Sequence, residues 1–204
     1  GVTIEKIFAL ESYRDQLAAF PQTVWVSEEI LRDLADSQTP QGIVAIVQKE
    51  EVGLPDLRQG KFLFLEDVQD PGNVGTMIRT ADAAGFTGVI VSDKSADIYS
   101  LKTLRSMQGS HFHLPIYRMP VATFVEGAKK SDLPILATTL SRESKDYREL
   151  SSLENFVLVM GNEGQGISSV MAESADQLVH ISMKGRAESL NVAVAAGILM
   201  FYFS

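Results

Sequence analysis

Cysteine is absent from this 204-residue chain, which excludes disulfide scaffolds, thiolate metal sites and cysteine nucleophiles together. Long apolar runs are absent as well. None reaches the roughly 18 residues needed to cross a bilayer, and the N-terminal GVTIEKIFALESYRDQ lacks the basic-then-apolar layout of a secretory signal. There is no Walker A loop, no internal repeat and no low-complexity tract. These absences predict a soluble, cytoplasmic enzyme or binding domain with no membrane partner. The first residue is glycine rather than methionine, so a fragment or processed product is expected. Positive charge is also scarce: the net charge of -8 speaks at first against a nucleic-acid partner, since phosphate contacts need Lys and Arg.

The distribution of charge weakens that objection. Residues 1–60 hold 5 Lys and Arg against 10 Asp and Glu, whereas residues 61–204 hold 13 against 16. Within the longer part, residues 94–118 carry Lys94, Lys102, Arg105, Arg118, His111 and His113 against a single acid, Asp97. That stretch reads equally as a phosphate-facing surface and as a solvated helix face.

The segment KEEVGLPDLRQG, with its charge, proline and two glycines, is the expected linker over 51–60, between a short α/β unit (1–50) and a longer domain (61–204). In the first unit IEKIFALESYRDQLAAF reads as a helix, TVWVS as a strand, EEILRDLADS as a helix and QGIVAIVQ as a strand. Downstream, FLFLEDV, GVIVSD, PILATTL, FVLVMG and LVHISM read as strands, separated by helices near 74–84, 100–109, 121–130, 167–174 and 189–202. Short apolar strands alternating with helices predict an α/β fold, a parallel sheet covered by helices on both faces.

Ligands bind such sheets at the carboxyl ends of the strands, and three elements there carry chemistry. The first, DPGNVGTMIRTADAAGF (70–86), places Asn73 as a candidate helix cap and Arg79 as the sole basic residue between Lys61 and Lys94. The second, GNEGQG (161–166), is a glycine-spaced turn behind an apolar strand, with Glu163 inside it. Its G-x-x-G-x-G spacing reverses the dinucleotide fingerprint, so an ordinary NAD or ATP site is disfavoured, and a plain tight turn remains an equal reading of these residues alone. The third, ISMKGRAESLNVAVAAGILMFYF (181–203), sets Ser189 as a candidate N-cap, with Asn191, before a helix apolar nearly all round. Such a helix must be covered on every side, which predicts a subunit interface, with Ala193, Ala195, Ala196 and Gly197 as the small surface against which a second helix packs.

In this order the three elements resemble the SpoU family, also called TrmH, of the SPOUT class of S-adenosylmethionine-dependent RNA methyltransferases. The resemblance rests on N-x-G-x-x-x-R (Asn73, Gly75, Arg79), M-G-N-E-x-x-G (Met160 to Gly166) and I-x-M-x-G-x-x-x-S-L-N-V (Ile181 to Val192), with Ser182 standing where many members carry proline. It implies methylation of a ribose 2′-hydroxyl in structured RNA, ribosomal RNA first and tRNA second, by a homodimer with a C-terminal trefoil knot and no metal. Periodicity could not have revealed a knot. It further implies that S-adenosylmethionine lies against Gly161, Asn162, Gly164, Ile181, Met183 and Leu190, with Thr139 as a further member. Arg79 then acts as base or as phosphate clamp, oriented by Asn73 and Glu163, while Ser189 and Asn191 hold the ribose or the adjoining loop. The first 50 residues resemble the end of the ribosomal-protein-like RNA-binding domain that many members carry in front. A non-catalytic RNA-binding relative is the rival reading, opposed by the presence of all five polar residues.

Overall fold

The computed structural model describes residues 2–35, 37, 39–49, 52–151 and 153–204. They form two compact units, Gly1–Glu51 and Val52–Ser204. In the first, strand β1 (Ile4–Ala9) lies between β2 (Thr23–Trp25), parallel to it, and β3 (Ile43–Val47), antiparallel to it, with helix α1 (Glu28–Ala35). The expected helix over 4–20 is therefore a strand followed by a 3-10 turn at Glu11–Tyr13. Ile4, Ile7 and Phe8 satisfy helical spacing. In the fold, however, Ile7 and Ala9 alternate into the interior and the backbone pairs on both edges, and such pairing outweighs local propensity. Asp36, at the end of the expected second helix, and Glu50 and Glu51, at the linker, lie outside the described residues. Val52–Gly60 belongs with the second unit, where Leu57 is buried among Phe124, Val125 and Ala128 rather than solvated as a linker residue.

The second unit alternates as its sequence suggests: β4 (Lys61–Leu65), α2 (Pro71–Ala83), β5 (Gly88–Val91), α3 (Leu101–Met107), β6 (Ile116–Arg118), α4 (Val121–Lys130), β7 (Ile135–Thr138), β8 (Lys145–Asp146), β9 (Phe156–Met160), α5 (Ser169–Ser174), β10 (Gln177–His180) and α6 (Val192–Phe203). The seven strands lie in the order β6-β5-β4-β9-β7-β10-β8, and every pair is parallel. β6 and β8 were not expected, because three and two residues are too few to show a period. The central strands β4, β5 and β9 are buried along almost their whole length, as a sheet covered on both faces requires. In β4, Leu63 and Leu65 join one core with Met77 and Ile78 of α2 and Leu199, Met200 and Phe203 of α6. Phe62 and Phe64 join the other, with Phe124 of α4 and Met171 of α5. No helix among the described residues is long and apolar enough to cross a membrane.

Gly75 shows why a motif glycine can be structural. A Cβ built there would lie 2.6 Å from Ser106 Cβ and 2.6 Å from the Thr103 carbonyl oxygen, so α2 and α3 cross at backbone contact. Gly75→Ala should therefore part the two helices and cost about 1–3 kcal/mol. In a domain of this size that is a fall in melting temperature of roughly 2–4 °C per kcal/mol, read by calorimetry. An unchanged melting temperature would refute the close crossing.

Candidate active site

The carboxyl ends of three neighbouring strands, β9, β7 and β10, open onto one cavity of about 500 Å³. Met160, Val179 and Thr138 form its floor, and Val192, Ala195 and Leu199 of the α6 segment close one side. All seven residues expected to meet a cofactor line it: Thr139, Gly161, Asn162, Gly164, Ile181, Met183 and Leu190. Of the five expected catalytic residues, Glu163 and Ser189 line it, whereas Asn73, Arg79 and Asn191 do not.

The glycine turn is fixed from within. Asn162 and Gly166 exchange two backbone hydrogen bonds of 3.0 and 2.9 Å, and Asn162 Oδ1 accepts from the N–H groups of Gly164 (2.9 Å) and Gln165 (3.0 Å). Gly166 has a φ of +72°, a conformation that favours glycine. A Cβ on Gly161 would lie 2.3 Å from the Gly166 carbonyl carbon and 2.5 Å from the Ile167 nitrogen. This glycine thus keeps the loop closed on itself, which differs from a residue omitted only to leave ligand space. Asn162 Nδ2 also donates to the Asp67 carbonyl at 2.8 Å, tying the turn to the loop after β4.

Glu163 is the hub of that tie. Its Oε1 accepts from the Asp70 N–H (3.0 Å) and from Asn73 Nδ2 (3.1 Å), and its Oε2 accepts from the Gln69 N–H (3.1 Å). Asn73 Oδ1 in turn accepts from Asn191 Nδ2 at 3.1 Å, and Asn191 Oδ1 accepts from the Ala193 and Val194 N–H groups that open α6. One polar row, Glu163–Asn73–Asn191, therefore joins three segments distant in sequence. Burial pushes the Glu163 carboxyl up, but the Gln69 and Asp70 amides and the Asn73 side chain outweigh it and leave the pKa below its ordinary value. At neutral pH Glu163 is an acceptor-only clamp.

The caps differ from those expected. Asp70, not Asn73, caps α2 by accepting from the Asn73 N–H at 2.9 Å, with Pro71 at the first turn. Asn191, not Ser189, caps α6, and Ser189 is left exposed at the cavity wall. Arg79 is not oriented by Asn73 or Glu163. Six residues beyond Asn73 it leaves α2 about 120° away round the axis; it is exposed and makes no hydrogen bond or ion pair among the described residues. Part of the basic stretch turns inward. Arg118 donates to the carbonyls of Ser92, Asp93, Ser95 and Ala96 at 2.9 to 3.4 Å, and Lys102 pairs with Asp70 at 2.7 Å.

Sequence reasoning missed His180, at the end of β10. Its Nδ1 meets Ser144 Oγ at 3.0 Å and its Nε2 meets Ser182 Oγ at 3.3 Å, joining two walls of the cavity. Asp146 supports the same wall by accepting from the Ser182 N–H, while the Arg148 guanidinium holds its carboxyl well below the usual range. Asp146 lies on the unexpected strand β8, and the serine partners of His180 lie in loops that carry no period. Among the described residues no cluster of His, Asp and Glu could hold a metal ion.

A wholly parallel sheet with a cavity at its strand ends, bounded by a glycine turn and by the segment before a terminal helix, defines the class: an α/β protein with a small-molecule site built mainly from loops. The chain belongs to the SpoU rRNA methylase family, whose model matches residues 60–201. It is 42% identical over 181 residues to the 23S rRNA (guanosine(2553)-2'-O)-methyltransferase RlmP of Bacillus subtilis (strain 168), covering 89% of this chain and 72% of that one. The crystal structure of an AdoMet-bound rRNA methyltransferase from Sinorhizobium meliloti superimposes with a TM-score of 0.88 at 34% identity, covering 98% of this chain and 79% of that one. The SpoU methyltransferase AviRb from Streptomyces viridochromogenes, in complex with AdoMet, gives 0.83 at 30% identity, covering 98% and 82%.

The Glu163 clamp carries a pH signature. A carboxylate with a depressed pKa stabilises the fold fully above its unfolded-state value, and that contribution is lost as pH falls through the folded-state value. Glu163→Gln should cost on the order of 1 kcal/mol at neutral pH. The gap in melting temperature between parent and variant should then close as pH drops below the ordinary glutamate value of about 4.5. A gap that stays constant through that range would show that the carboxylate charge is not what holds the turn.

Proposed function

We propose that this chain transfers the methyl group of S-adenosylmethionine to a ribose 2′-hydroxyl in structured RNA, with ribosomal RNA as the first candidate. The observation that supports this best is the row Glu163–Asn73–Asn191, which brings the three family motifs together beside the cavity. The cavity suits the cofactor. Its volume is in the range of small-molecule sites, the glycine turn and Thr139 offer polar groups, and Ile181, Met183 and Leu190 offer apolar walls. S-adenosylmethionine, when bound there, supplies an electrophilic methyl group on a sulfonium centre. The chain's own residues do the rest: Gly161, Asn162 and Gly164 shape the rim, and Ser189 faces the ribose. The Glu163 row fixes the rim to α2, so that methyl and hydroxyl meet in line out of bulk water.

Arg79 is the residue assigned to the RNA side of the reaction. A guanidinium keeps its proton at any ordinary pH, so clamping a phosphate while the hydroxyl is aligned is physically easier for it than accepting a proton. Its exposure on α2 leaves the fork available to RNA. The 23S rRNA activity in the name of the Bacillus relative favours ribosomal RNA, and a ribosomal substrate implies a cytoplasmic location. Residues 1–50, read as belonging to an RNA-binding domain, are a second RNA-binding unit in this reading, and a trefoil knot formed by the segments around the cavity is part of it.

The reading includes a homodimer. On α6, Ala193, Ala196, Leu199, Met200 and Phe203 face the chain's own core, and Gly197 faces Thr80 of α2. The small residues thus serve packing within the chain, contrary to the expectation that they receive a second helix. The outward side is large and apolar: Val194 is 53% exposed, Phe201 58% and Tyr202 41%, with Ile198 beside them. An exposed apolar stripe of that kind marks an interaction surface, and a second copy is the partner this reading assigns to it, close to Leu190 at the cavity wall.

Two tests follow. Arg79→Ala and Arg79→Lys should each reduce transfer by about 100-fold or more, because an ammonium lacks the planar fork, while cofactor affinity measured by calorimetry stays at the parent value. Full activity in either variant would remove Arg79 from the mechanism. Ile198→Glu should give monomers or aggregates without activity, although no proposed catalytic residue is altered. Light scattering that finds the parent to be a stable, active monomer at micromolar concentration would overturn the dimer.

A further inference from the structure

The turn that follows α3 leads to a surface with no role so far. Gln108 and Gly109 are both left-handed, with φ of 52° and 88°, and they swing the chain out of α3 into the short 3-10 turn Ser110–Phe112. The geometry of the α2/α3 crossing sets where this turn lands. Lys102 Cε approaches the Gly72 position and Ser106 the Gly75 position, so the chain beyond α3 continues alongside the second half of α2, where Arg79 and Asp82 stand. His113 confirms the placement, since its Nδ1 lies 3.3 Å from Asp82 Oδ2, and Asp82 is one turn from Arg79 on the same helix.

Phe112 is 51% exposed on this turn, and its ring lies 3.9 Å from that of His111, centroid to centroid. Burial lowers the His111 pKa, with His113 adding to the effect, so the ring beside Phe112, tilted 40° to it, is uncharged at neutral pH. A phenylalanine left in water, in contact with the His111 ring and carried on a turn that packs against α2, which bears the exposed Arg79, has the form of a stacking platform. Residues 98–118 contain no acid, and the carboxylate that reaches this turn, Asp82, is taken up by His113. An exposed aromatic near a guanidinium is how proteins take an unpaired base, the ring stacking on the base while the cation meets the backbone.

We infer that Phe112, backed by His111, is a stacking platform for an unpaired base of the substrate RNA next to the nucleotide that Arg79 engages. The inference rests on the proposed RNA methyl transfer, and makes Phe112 a positioning residue for the RNA strand. The test uses the whole chain with unmodified 23S rRNA transcript as probe and compares Phe112→Ala, Phe112→Trp and the parent. Phe112→Ala should raise the KM for RNA about tenfold, the loss that stacking of one base converts to, with kcat, S-adenosylmethionine affinity and scattering mass unchanged. Phe112→Trp, which keeps a larger stacking face, should restore the parent KM. An unchanged KM in Phe112→Ala with an active parent would overturn the platform alone. A raised KM accompanied by a changed scattering mass would also overturn it, and make the turn an interface between copies. A parent that neither binds nor methylates the transcript, or tRNA in its place, would overturn the methyl-transfer reading itself.

Discussion

The arrangement of this site depends on one carboxylate. Glu163 projects from a turn that would otherwise have only its own hydrogen bonds to define it, and it gathers the N–H groups of Gln69 and Asp70 and the Asn73 amide. Those groups belong to the opening of α2, where the first N–H groups of a helix have no partner inside it and the helix dipole favours negative charge. A carboxylate is the only side chain that can accept from all three and also gain from the dipole. Because Asn73 passes its remaining oxygen to Asn191, the same interaction reaches the cap of α6. The two sides of the cavity are thereby set relative to one another by three side chains, which leaves the backbone of the glycine turn free to line the cavity.

The sheet makes this reach possible. β9 lies between β4 and β7, so the turn after β9 emerges directly beside the loop after β4, about 95 residues away in sequence but one strand away in space. Any other position for β9 would leave Asn162 Nδ2 without the Asp67 carbonyl and Glu163 without the α2 amides. The glycines follow from the same closeness. Gly161 has backbone of its own loop against the place where its side chain would be, and Gly75 has α3 there. Both are demands of packing density rather than of a ligand.

This explains what could be read from the sequence and what could not. The buried strands were legible because β4, β5 and β9 are apolar on both faces, and the cavity residues were legible because three motifs with fixed spacing named them. β1 was misread because Ile4, Ile7 and Phe8 fit a helix as well as a strand, and only pairing with β2 and β3 decides between them. Asn73 and Ser189 looked like caps because both residue types cap helices. Asp70 and Asn191 do so instead, since the helix starts are set by Pro71 and by the need to join Asn73 to Asn191. Arg118 looked like part of a phosphate-facing stretch, yet four carbonyls in the loop after β5 claim it. For β1, Arg118 and the Asn73–Asn191 contact, residues far apart in sequence were decisive, and such contacts leave no local period.

The contrast between Glu163 and Arg79 bears on how the site works. Cofactor-side residues are held by a closed set of hydrogen bonds within the chain, so that part of the site is organised before anything arrives, and binding there has little ordering left to do. Arg79 has no such partners among the described residues, and a long side chain with rotamer freedom costs entropy to fix. In the role proposed for Arg79, its order comes from outside, from a phosphate of the RNA. In a site built this way, cofactor capture does not require RNA, whereas the reactive alignment does. On the proposed role of Arg79, methyl transfer is confined to the moment when an RNA of the right shape supplies that contact, and selectivity comes from completing the site rather than from tighter grip on a finished one.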